Sequence, residues 1–156
     1  MVYNPTVLAN NVLNRAFAEG LHISPMKLQK ILFFIACEYR KKTGENLFDM
    51  PFQTWKYGPV NRLVHDMFRP FNRGGIRRYA RNAAGVSEMV DEAHDEDLRR
   101  VIEKVWEATR GWGAVELARI THAEGSAWDR AFQAGRAELD YDDMAADMTY
   151  RHPLGL

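Results

Sequence analysis

The stretch Ser24-Pro-Met-Lys-Leu-Gln-Lys-Ile-Leu-Phe-Phe34, continued by Ile35-Ala-Cys-Glu-Tyr39, decides the fold. Ser24 is an N-cap residue and Pro25 suits the first helical position, where a missing N–H costs nothing. Leu28, Ile31, Leu32, Ile35 and Tyr39 fall at i, i+3, i+4, i+7 and i+11, the period of one helix face. Phe33, Phe34 and Cys37 widen that stripe, so the middle of this helix is expected to be surrounded and to form the centre of a core. A charge at Ile31 or Ile35 is expected to unfold the protein. The helix ends near Gly44.

Working outward, Asn4-Pro5 repeats the N-terminal signal, and Leu8, Val12, Leu13, Ala16 and Phe17 keep helical spacing until Gly20. Downstream, Phe52, Trp55 and Tyr57 suit an extended segment opened by Pro51 and closed by Gly58-Pro59, a short strand or hairpin arm. Pro59 then opens a helix carrying Val60, Leu63, Val64, Met67 and Phe68, which stops at Pro70. The turn Asn72-Arg-Gly-Gly75 leads to Ile76–Tyr79, either a second short strand or a loop. Asp91, Glu92, Asp95, Glu96 and Asp97 crowd the positive end of the next helix, whose inner face is Leu98, Val101, Ile102, Val105 and Trp106. A short helix over 114–121, the turn His122-Ala-Glu-Gly125 and a helix capped by Ser126 and Asp129 follow. The acidic stretch 138–156 holds at most one amphipathic turn through Met144 and Met148. The expectation is a mainly α, compact domain over 1–156 with about six helices and a small β hairpin or short strands.

The 156-residue chain is 46% hydrophobic, enough for one core that buries about two thirds of the unfolded surface. Its longest uncharged apolar run, Ile31 to Cys37, is far short of the roughly 20 residues that span a bilayer. The start of the chain lacks a basic region leading into an apolar one. A soluble, cytoplasmic protein is expected. Cys37, the single cysteine, reads as a buried inert thiol. The net charge is zero, but residues 1–78 carry 12 Lys+Arg against 5 Asp+Glu and residues 79–156 carry 9 against 16. Either a basic face steers an acidic partner, or the two halves dock on each other.

Enzyme chemistry finds little support. The five histidines are 28 or more residues apart and form no metal-ligand pattern, so no metal or cofactor is expected. Ser126, His122 and Asp129 have triad residue types, but no nucleophile elbow surrounds the serine and capping explains them better. No phosphate-binding glycine loop occurs. Arg62, Arg69, Arg73, Arg77, Arg78 and Arg81 beside Phe68, Phe71 and Tyr79 suit nucleic-acid contact, or equally a solvated face balancing the acidic half.

Three blocks carry a resemblance: Met26-Lys-Leu-Gln-Lys-Ile-Leu-Phe-Phe34; Leu47-Phe48 with Trp55-Lys-Tyr-Gly-Pro-Val60; and Leu117 through Thr121-His-Ala-Glu-Gly125 to Trp128. In order and spacing they resemble the Panacea-domain, or SocA-like, antitoxins. One departure is Gly125-Ser-Ala-Trp128, where similar proteins usually carry Gly-Pro-Trp. The resemblance implies a mainly helical fold with a small β element. It also implies a non-enzymatic antitoxin, encoded by a bacterium or prophage, that binds and neutralises a cognate toxin protein. Some relatives are phage-associated proteins, and at least one is an adaptor that delivers its toxin to a bacterial protease.

Within the matching blocks, Leu28, Ile31, Leu32 and Trp55 read as core. Lys27, Lys30, Lys56 and Tyr57 form either a buried polar arrangement or contact surface, or else a solvated helix edge. The candidate partner-binding residues are these four, Arg62 and Arg69 on the basic third helix, and Asp142, Asp143 and Asp147 of the acidic tail. The tail lies outside the matching blocks and offers a surface that adapts to one partner.

Overall fold

A computed structural model describes residues 2–156; Met1 lies outside them. The chain is mainly helical: α1 (Pro5–Glu19), α2 (Pro25–Thr43), a hairpin of β1 (Gln53–Trp55) and β2 (Gly58–Val60), α3 (Arg62–Phe68), α4 (Glu96–Thr109), α5 (Ala114–Thr121), α6 (Ala127–Gln133), α7 (Tyr141–Ala146) and α8 (Arg151–Leu154). Single 3-10 turns occupy Arg69–Phe71 and Glu92–His94.

The central helix is α2. Ser24 accepts the Lys27 N–H at 3.2 Å, and Gly44 closes the helix in the left-handed conformation. Every side chain from Lys27 to Tyr39 is buried, so the apolar wrapping read from the sequence holds around the whole circumference. Helices α1, α3, α4, α5 and α7 and strand β2 pack on it. Leu98, Val101, Ile102, Val105 and Trp106 of α4 supply one wall. Phe33 meets Phe52 edge-on at 5.5 Å, joining α2 to the hairpin.

The hairpin corrects one expectation. Pro59 does not open α3; it lies in β2, paired with Thr54, while Gln53 pairs with Val60 and Trp55 with Gly58. The cause is a long-range grip. Buried Gln29 accepts the Asn61 N–H at 2.8 Å and donates to the Asn61 carbonyl at 2.9 Å. Asn61 is thereby held extended, and its side chain caps Val64 at 3.1 Å, so α3 starts at Arg62.

Ile76–Tyr79 forms no strand. The irregular segment that follows is tied to α1 by two buried asparagines. Asn10 accepts the Ala80 N–H at 2.8 Å and donates to the carbonyls of Ala80 and Glu88, and Asn11 pairs with both backbone groups of Val90 at 2.9 Å. These side-chain amides take the place of a strand partner. Asp95 caps α4 and accepts hydroxyls from Tyr3 at 2.6 Å and Tyr39 at 2.9 Å. Partial burial alone would raise its pKa, but these hydrogen bonds hold the carboxyl below its usual value.

The C-terminal stretch also departs from expectation, since it forms two helices that fold onto α2. Met144, Tyr150 and Leu154 are buried. The Tyr150 hydroxyl donates to Glu38, Lys41 donates to the Met144 carbonyl at 2.9 Å, and Arg151 lies 3.3 Å from Glu38. Ion pairs such as Arg15–Glu92 and Arg40–Asp142 join the basic and acidic halves of the sequence. Among the described residues, no helix is long and apolar enough to cross a membrane.

Candidate functional site

A groove of about 960 Å³ opens where the start of α2, the hairpin, α3 with its 3-10 extension, and α5 converge. Pro25, Met26, Val60, Ala114 and Ala118 give it an apolar lining, with Trp55, Tyr57 and Val115 at its sides. Tyr57 is 59% and Val115 63% exposed. Leu117, Ala118 and Thr121 bury the inner face of α5, which turns Val115 outward.

Lys30 reaches this groove from below, with only 1% of its surface exposed. Its ammonium donates to the Pro59 carbonyl at 3.1 Å. Burial pushes its pKa down to about 7, since a desolvated ammonium is costly. Gly58 makes room for it. Its φ is +114°, and a Cβ there would lie 2.8 Å from Lys30 Cε and 2.8 Å from Thr121 Oγ1. Only glycine meets both demands.

The hairpin is braced from behind. Trp128 donates to the Trp55 carbonyl at 2.8 Å and stacks on His122 at 4.0 Å and on Phe132 at 4.7 Å. Burial, helped by the Lys30 charge, lowers the His122 pKa, and His122 Nε2 is buried without a hydrogen-bond partner. Trp55 corrects the core assignment made from the sequence. It is half-buried in the groove wall, with its N–H on Gln53 at 2.7 Å, His65 edge-on at 4.6 Å and the Arg62 guanidinium 5.9 Å from its ring.

The predicted site residues separate into three groups. Lys30, Lys56, Tyr57 and Arg69 line the groove together, and Arg62 borders it through Trp55 while pairing with Asp66 at 3.1 Å. Lys27 is buried beside it and donates to the Arg110 carbonyl at 2.6 Å; desolvation lowers its pKa. The acidic trio sits elsewhere. Asp142 is exposed and pairs with Arg40, and Asp143 pairs with Arg136 at 3.1 Å. Asp147 is 4% exposed and is used inside the fold, accepting the Ala127 N–H at 3.0 Å and both donors of Thr149. A free acidic tail is therefore corrected to a packed one, because its apolar residues insert into the core and Asp147 caps neighbouring backbone.

Val115 joins the groove although nothing in the sequence singles it out, while Met26 comes from the first matching block and Arg73 from the arginine cluster. The arginine cluster does not act as one patch. Arg78 lies over Phe71 at 5.2 Å and Arg81 borders a separate depression beside α1, leaving Arg69 and Arg73 at the groove. Ser126 caps α6, accepting the Asp129 N–H at 3.0 Å and donating to the Thr121 carbonyl at 2.7 Å. Among the described residues, no group of three or more His, Cys, Asp or Glu side chains is placed to hold a metal ion.

A helical domain whose hairpin, helix start and short helix converge on an apolar, cation-bearing groove has the form of a binding module. Its sequence agrees with the family described as antitoxin SocA-like, Panacea domain, over residues 28–129, and the chain belongs to that family. The matched stretch runs from α2 into α6 and contains the groove residues other than Ser24, Pro25 and Met26 at the start of α2. Antitoxin SocA of Caulobacter vibrioides (strain NA1000 / CB15N) is 30% identical over 128 residues, which cover 78% of this chain and 66% of that protein. The chain thus spans slightly less than two thirds of the length of the curated relative it matches. No solved structure gives a significant match.

Proposed function

We propose that this protein is the antitoxin of a toxin–antitoxin pair and neutralises a toxin encoded beside it by direct, non-enzymatic protein–protein binding in the cytoplasm. The groove between α2, the hairpin and α5 carries this reading. It exposes Tyr57 and Val115 together, and exposed aromatic and aliphatic side chains at a concave site are typical anchors of protein recognition. Membership of an antitoxin family supplies the class of partner. Expression of the adjacent gene should arrest growth, and co-expression of this chain should restore it through a complex that elutes as one species in size-exclusion chromatography. A neighbour that is harmless alone, or rescue without a complex, would overturn the proposal.

A further inference from the structure

The groove points to a specific chemistry of occupant. We propose that it takes an acidic, apolar segment of the partner protein, with an apolar side chain seated against Tyr57 and Val115 and a nearby carboxylate meeting the cations Lys30, Arg69 and Arg73. This inference rests on the reading of the chain as a protein-binding antitoxin.

The first observation is charge. Lys30, Lys56, Arg69 and Arg73 line the groove, and no Asp or Glu does so among the described residues. Many arginines elsewhere are ion-paired, as in Arg15–Glu92, Arg40–Asp142, Arg62–Asp66, Arg110–Glu19 and Arg136–Asp143. The groove cations have no such carboxylate among the described residues. In a protein of zero net charge, they form a local site that selects an anionic group.

The second observation is Lys30 itself. A charged ammonium offers three donors, and the one acceptor it meets among the described residues is the Pro59 carbonyl. Burying such a group is unfavourable unless an anion compensates it. A carboxylate arriving from the groove supplies that compensation. The third observation is the lining. Pro25, Met26, Val60, Ala114 and Ala118 offer nothing to a solvated phosphate backbone and much to aliphatic and aromatic side chains. A polypeptide therefore fits better than a nucleic acid.

The test uses the full-length chain with the toxin encoded by the adjacent gene. Dissociation constants are measured at low and high salt for the wild type, for Arg69→Ala/Arg73→Ala and for Lys30→Met, with melting temperatures as the folding control. A photoreactive p-benzoylphenylalanine at Val115 maps the contact. The expectation is binding that weakens with salt, a loss of roughly tenfold or more in each variant, and melting temperatures no lower than the wild type. The cross-link should fall within a few residues of an Asp or Glu in an apolar stretch of the toxin. Lys30→Met separates recognition from architecture, since a purely structural lysine would lower the melting temperature and leave affinity intact. Unchanged affinity in both variants would overturn the inference alone, as would a cross-link to a basic segment, a second copy of the chain or bound nucleic acid. Absence of any wild-type complex would remove the antitoxin reading, and this inference with it.

Discussion

Gly58→Ala should destabilise the protein strongly, and its cost can be worked from the geometry. At φ = +114° an L-residue occupies a sparsely allowed backbone region, which costs about 1–3 kcal/mol. The added methyl would lie 2.8 Å from both Lys30 Cε and Thr121 Oγ1. Neither neighbour yields freely, because Lys30 is buried and bonded to Pro59 and Thr121 is bonded to the Ala118 carbonyl at 2.6 Å. Overpacking of this kind costs about 1–3 kcal/mol more. The lower entropy of the unfolded alanine chain returns less than about 1 kcal/mol. The net loss of about 2–5 kcal/mol corresponds to a fall in melting temperature of roughly 5–20 °C for a chain of this size. Circular dichroism melts at fixed pH measure it. Lys30→Ala combined with Gly58→Ala removes one of the two clashes, so the double variant should be more stable than the sum of the singles predicts. A Gly58→Ala melting temperature within 2 °C of wild type, on the order of the smallest resolvable shift, would refute the reasoning about this turn.

Further expectations concern the buried polar groups. Lys30 has a folded pKa of about 7, far below its unfolded value, so above pH 7 the unfolded chain binds a proton that the folded chain lacks. Stability should therefore rise with pH between about 7 and 9.5, and urea titrations of Lys30→Met should show a flatter profile across that window. Depressed His65 and His122 act in the same sense at lower pH, where stability falls on acidification as the unfolded histidines take up protons first. Asp147→Ala should cost about 1–3 kcal/mol, because it strands buried donors, whereas exposed Asp142→Ala should leave the melt within about 0.5 kcal/mol of wild type. Asn11→Ala should speed hydrogen exchange at the Val90 amide by exposing it locally, without an equal effect at the Ile31 amide in α2.

Much of the helical frame is legible in the sequence because its signals are local. Ser24-Pro25 and Asn4-Pro5 state where α2 and α1 begin, Gly44 and Gly20 where they end, and the apolar period states which faces are covered. The hairpin was half legible. Gly58-Pro-Val60 has no strand alternation, and Pro59 looks like a helix start until Gln29, 32 residues earlier, takes hold of the Asn61 backbone. The tail misled for a similar reason. Its carboxylates suggest solvent, while Met144, Tyr150 and Leu154 are too sparse to show a period and gain their places only against α2. Burial of Lys30 and Lys27 is one of the alternatives that the sequence offers, since lysines recur inside the matching blocks. The groove as a whole was not legible, because Met26, Tyr57, Arg73 and Val115 meet only through packing of separate elements on α2.

The central claim is neutralisation by contact through the groove. Its most direct test is growth of cells expressing the adjacent gene together with wild type or Val115→Asp, with the toxin's half-life followed in the same cultures. Val115 is exposed, so the variant should fold and accumulate normally while placing a charge that repels an acidic occupant. The account predicts rescue by wild type with the toxin's half-life unchanged, and loss of rescue with Val115→Asp. Full rescue by Val115→Asp, or wild-type rescue accompanied by a shortened toxin half-life, would contradict it.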